Sequence, residues 1–149
     1  MKKFQFTLSR TLDYREQILT EEKNTLASLQ GRQNVIEQKI CFLEGEFQRI
    51  SQEMAQEQLA GIPVFRLIAY DGQRTNIRRQ LEQLHIDLAE AEKEVSQQID
   101  VVVEASQEVS KLDKLREKQL EEYNKAIAAA EELVIEEFVS AQMARQEEM

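Results

Sequence analysis

The chain is predicted to be all-α, a long antiparallel two-helix coiled coil (an α-hairpin) with an extended C-terminal helix. Three observations predict it. Apolar residues recur at alternating steps of four and three through both halves of the chain, the heptad seam of a coiled coil. The glycines within those halves, Gly31, Gly45 and Gly72, all fall at the heptad position furthest from the seam. Gly61 and the only proline, Pro63, flank Ile62 at one point between the halves.

Helix one is expected over about residues 5–58. Its seam comprises positions 8, 12, 15, 19, 22, 26, 29, 33, 36, 40, 43, 47, 50, 54 and 57, and eleven of these fifteen are apolar. The exceptions are Arg15, Glu22, Gln33 and Glu57. The turn is expected at about residues 59–63, because proline is excluded from a helix interior but suits a first helical turn. Helix two is expected over about 64–147. Its seam runs 77, 81, 84, 88, 91, 95, 98, 102, 105, 109 and 112, with Gln98 the one polar member. Near Arg116 the stripe is expected to shift phase and resume as Leu120, Tyr123, Ile127, Ala130, Val134 and Phe138.

Two helices joined by so short a link are antiparallel neighbours. The two seams allow facing residues to add to 117 or to 124, and 124 centres the turn on Ile62. That register sets Ile36 opposite Leu88, Ile40 opposite Leu84, Phe47 opposite Ile77 and Leu12 opposite Leu112. It sets Met1 opposite Tyr123, so an overhang of about residues 124–149 has no partner in the hairpin. At 1.5 Å per residue the first helix is about 75 Å long and the second about 125 Å. The 149 residues are read as a single coiled-coil domain.

Composition narrows the function. Four scattered glycines cannot build a phosphate-cradling loop, and one cysteine cannot build a disulfide scaffold. That cysteine also fits a reducing cytoplasm. Lys2 and Lys3 are not followed by the apolar run of a secretion signal, and no stretch approaches the roughly 20 apolar residues of a membrane span. The net charge is −9, and residues 117–149 hold 3 basic against 9 acidic residues. Such a C-terminus repels nucleic acid and suits either a basic protein surface or plain solvation.

No catalytic, cofactor or metal constellation is visible. His85, the only histidine, lies beside the seam with no nucleophile near it in sequence. Cys41 is expected to be solvent-exposed. Carboxylate pairs such as Glu131-Glu132 and Glu136-Glu137 are adjacent, and neighbours in sequence do not share a helix face. The apolar residues outside the seam say more. Val35 and Phe42 lie one heptad apart on the outer face, and the overhang carries Ile127, Leu133, Val134, Ile135, Phe138 and Val139. An unpaired apolar stripe marks a binding surface, for a partner's groove or pore or for a second copy.

The opening Phe4-Gln5-Phe6-Thr7-Leu8, with Leu12 and Arg15-Glu16, resembles the N-terminal signature of the FliJ family, small coiled-coil proteins of the bacterial flagellar type III export apparatus. The segment Val109-Ser110-Lys111-Leu112-Asp113-Lys114-Leu115, with Lys118 and the acidic, alanine-rich helix after it, is similar too. The resemblance covers nearly the whole chain. It implies a non-enzymatic protein without cofactors that binds and stimulates the export ATPase, a FliI-like hexamer, as a central stalk does in rotary ATPases. It further implies links to an FlhA-like export gate protein and to export chaperones, and no nucleic acid partner. The implied location is cytoplasmic, peripheral at the cytoplasmic face of the inner membrane, with the free protein monomeric. Carried onto this chain, the ATPase contacts are Phe4, Phe6, Tyr123, Ile127, Val134 and Phe138, and the gate contacts are Phe42, Phe47, Tyr70 and Ile77. In the gate stretch Phe47 and Tyr70 fit the family's aromatic pattern, whereas Gln73 and Gln80 depart from it. Two other readings stay open: a self-associating structural coiled coil, and the equivalent stalk protein of a virulence type III secretion system.

Overall fold

A computed structural model of the protein describes residues 2–148. Two helices, α1 (Ser9–Ala60) and α2 (Val64–Glu147), pack against each other as an all-α hairpin, and no strand occurs among the described residues. The chain divides into two compact units, Glu21–Val103 and Met1–Thr20 with Glu104–Met149.

The link between the helices lies in the first unit. Gly61 takes a φ of 87°, in the left-handed region that a side chain disfavours, and its N–H donates to the Gln58 carbonyl at 3.2 Å. The Pro63 carbonyl then accepts from Arg66 N–H at 3.0 Å and opens α2, where the missing proline N–H costs nothing. Gly72 does not interrupt α2, and the space where its side chain would stand is open. The two glycines therefore predict opposite outcomes. Gly61→Ala is expected to cost roughly 1–2 kcal/mol through backbone strain. Gly72→Ala is expected to gain about 0.5–1 kcal/mol through lost unfolded-state entropy. Thermal melting of the two variants checks the pair.

In this unit the centre of the core is Ile36, Ile40 and Ala91, with Leu81, Leu84 and Leu88 packed against it. Ile50, Ile77 and Val95 are also buried. This clustering belongs to the 124 register, because 117 would carry Ala91 away from Ile40 to stand opposite Leu26. An ion pair between Arg32 and Glu94 at 3.7 Å agrees, since 117 would place His85 opposite Arg32. Two of the polar seam residues meet each other: the Gln98 amide donates to both the carboxylate and the backbone carbonyl of Glu22.

The second unit differs from expectation at two places. Helix one was expected from about residue 5, and α1 begins at Ser9. Residues 2–6 are not helical. Phe4 is half-buried and Phe6 buried, while Lys3 and Gln5 face solvent, the period-two alternation of an extended segment. A turn, with Ser9 N–H donating to the Phe6 carbonyl at 3.1 Å, then leads into the helix. The second difference is the phase of the stripe on α2. From Leu112 to Tyr123 the half-buried positions are Leu112, Asp113, Gln119 and Tyr123, while Arg116 is exposed and Leu120 is 39% exposed. The heptad step thus persists through Tyr123, and the phase changes only after it, at Ile127. Tyr123 is held by residues 2–6, and Leu120, three residues before it, is the neighbour turned outward while Gln119 keeps the covered face. Met1, expected opposite Tyr123, lies outside the described residues; Lys2 and Phe4 meet that tyrosine instead.

Candidate partner-binding faces

The residues singled out for partner contact fall into two sets, one in each unit. In the unit of Glu21–Val103 stand Phe42, Phe47, Tyr70 and Ile77, and they do not form one exposed patch. Ile77 is buried in the seam, at 9% exposure. Phe47 is half-buried under two guanidinium groups, with Arg74 5.0 Å and Arg78 5.6 Å from the ring centre, within cation–π range. Tyr70 is half-buried, and burial together with its hydrogen bond to Glu57 pushes the phenol above its ordinary pKa. Glu57 also accepts from Arg66 at 3.0 Å across the link. On α1 nearby, Arg49 forks between Glu46 at 2.7 Å and Glu53 at 2.9 Å, and its hydrogen bond holds Glu46 below the usual carboxylate range.

Phe42 alone of the four offers surface, at 67% exposure. It lines an open groove of about 660 Å³ with Val35, Lys39 and Leu43 from α1 and Gln80, Gln83 and Leu84 from α2. The groove is apolar at its floor and rimmed by carboxamides, with Lys39 its only charged member. In a chain with 32% charged residues that is a charge-poor island, and depletion of charge is what marks the core of an interface. Val35 and Phe42 were legible as outward-facing positions one heptad apart. Gln80 entered only as a departure from the family's aromatic pattern and Gln83 not at all, because both join the site through the register of the second helix.

In the other unit, Phe4 and Tyr123 meet with ring centroids 5.5 Å apart and planes tilted by 49°, an edge-biased aromatic pair. The Tyr123 hydroxyl donates to the Lys2 carbonyl. Phe6 is 7% exposed and Leu12 5%, so the N-terminal aromatics are turned onto the chain itself. Ile127 and Ala130 are half-buried, and from Glu131 every described residue is exposed. Val134 is 63% exposed and Phe138 65%, beside Leu133, Ile135, Val139 and Met143. Ile127, Ala130, Val134 and Ile135 with Glu131 line a shallow apolar groove along the helix.

His85 and Cys41 are exposed, and Cys41 is a free thiol. No group of three or more His, Cys, Asp or Glu side chains among the described residues is placed to hold a metal ion. No helix of the described residues is long and apolar enough to cross a membrane. A family profile described as Flagellar FliJ protein matches residues 4–148. No curated protein and no solved structure matches the chain.

Proposed function

From the chain's membership of the flagellar FliJ family, non-catalytic components of flagellar type III export, we propose that this protein binds and stimulates the export ATPase ring. In this reading the exposed C-terminal part of α2 enters the ring as a stalk. The observation that carries it is the run of large apolar side chains left in solvent beyond Tyr123, Val134 and Phe138 foremost. Soluble helices do not keep such a stripe open without a surface to place it on. The acidic character of residues 117–149 adds a charge preference for a basic lining. Of the six residues that the resemblance offers for this contact, Val134 and Phe138 present surface and Tyr123 and Ile127 stand at its base, whereas Phe4 and Phe6 are folded back onto the chain and are not contacts in this reading.

The gate protein and the export chaperones are proposed to meet the other unit. There the groove at Phe42 supplies the exposed apolar anchor, with Phe47, Tyr70 and Ile77 stiffening the helices behind it. Attachment to the inner membrane would then be indirect, through the export apparatus.

The test is the ATP hydrolysis rate of the export ATPase of the same bacterium, measured with and without the protein. A saturable rise in rate is expected. Val134→Asp/Phe138→Asp, or truncation after Tyr123, is expected to remove that rise; the double variant is expected to melt within about 0.5 kcal/mol of the parent, since its two sites are exposed. A rise retained by the double variant, or no rise with the parent chain, overturns the reading. Self-association through the same stripe is the second reading, and it rests on the same exposed residues. Light scattering separates the two: a dimer dispersed by Val134→Asp/Phe138→Asp supports self-association, and a monomer removes it.

A further inference from the structure

The apolar stripe of α2 starts under cover. Its members Tyr123, Ile127, Ala130, Val134 and Phe138 follow one another at helical spacing, and the first of them is the residue on which the N-terminal segment rests. We propose that residues 2–6 are a releasable strap: in the free chain they cover α2 at Tyr123, and they lift when the stripe that begins there is occupied. The proposal deepens the reading above and rests on it for the occupant, the export ATPase.

Three observations support it. The strap is not helical, and α1 begins only at Ser9, so the segment can lift without unwinding a helix. Among the described residues its backbone hydrogen bonds lie at its two ends, at the Lys2 and Phe6 carbonyls, so lifting it breaks no ladder. Between those ends it is held by the Phe4 ring against Tyr123 and by burial of Phe6. That is enough to keep a short segment closed and little enough to be displaced. Its charge points the same way. The strap carries Lys2 and Lys3, exposed, in a unit whose residues 117–149 hold an excess of carboxylates. A basic occupant competes with those lysines in charge and with Phe4 in contact.

Hydrogen exchange on the full chain, free and with the export ATPase, tests it. Binding is expected to slow exchange over residues 127–138 and to speed it over 4–9. Phe4→Ala, which loosens the strap in advance, is expected to tighten binding about fivefold, by raising the fraction of chains already open. If both segments slow together, or 4–9 does not change while 127–138 slows, the strap is overturned. If 127–138 is not protected, the stalk reading has failed instead, and the free chain decides about the strap. There Phe4→Ala is expected to speed exchange over 4–9 about tenfold, with residues 12–19 unchanged. Equal acceleration of 12–19 overturns the strap, because the segment is then a fixed part of the fold.

Discussion

Ile40→Ala is expected to lower the stability of the protein by about 2–5 kcal/mol, the range for truncating a large aliphatic side chain in a packed core. Ile40 is 7% exposed and stands with Ile36 and Ala91 at the centre of the core of its unit, against Leu81, Leu84 and Leu88. The layer is thin: Leu81, Leu84 and Leu88 are themselves only half-buried, so little material can close around the hole. A domain of ordinary stability holds only about 5–15 kcal/mol in total. At roughly 2–4 °C per kcal/mol for a chain of this size, the melting point falls by about 4–20 °C. Ile86→Ala serves as the control, because Ile86 is 59% exposed and off the seam, and a change within about 0.5 kcal/mol is expected there. Melting curves followed by circular dichroism compare the two. Equal losses at Ile40 and Ile86 would mean that the hairpin is held by helix propensity and not by its seam.

The seam was the most legible part of this chain, because burial in a coiled coil follows a period that the sequence prints directly. Every seam position from Leu12 to Glu57 and from Ile77 to Leu112 is buried or half-buried, polar exceptions included. The choice of register was also legible, since a three-residue link centred on Ile62 leaves only one way for the seams to meet. The strap was not. Leu8 continues the seam spacing backwards, so a helix starting near residue 5 satisfies the periodicity, and only the alternation of Phe4, Gln5 and Phe6 hints at extended backbone. The phase of the stripe at Leu120 was misread for a related reason. Periodicity reports where apolar residues stand, but it is the contact at Tyr123 that decides which face is covered. The groove at Phe42 was half legible: its α1 side is a heptad repeat of outward apolar residues, and its α2 side depends on the register.

Replacing both members of the polar pair in the seam, Glu22→Leu with Gln98→Leu, is expected to raise stability by about 1–2 kcal/mol, whereas Gln98→Leu alone lowers it by about 1–3 kcal/mol. Gln98 sits at a core position of the heptad and satisfies its amide on the Glu22 carboxylate and on the backbone carbonyl of residue 22. Removing the amide leaves a half-buried carboxylate with no donor from the opposite helix, and desolvation of an unsatisfied group costs more than the lost bond. Glu22→Leu alone is the milder change, because the amide keeps its backbone acceptor. Replacing both restores an apolar layer between Leu19 and Leu26 and lets the seam close around it. The four chains form a double-mutant cycle, read by thermal or denaturant melting. Additive single effects would show that the two side chains do not act as a pair and that each is solvated separately. A coupled cycle with a more stable double variant would show that the parent chain gives up stability at this layer. The physical return is specificity, since an uninterrupted apolar stripe also invites a second copy of the helix, and a half-buried donor–acceptor pair penalises every alignment that separates its members. Light scattering on the double variant completes the test: a larger oligomer is expected beside the raised melting point, and a parent-like oligomeric state would leave the pair with no role in partner choice.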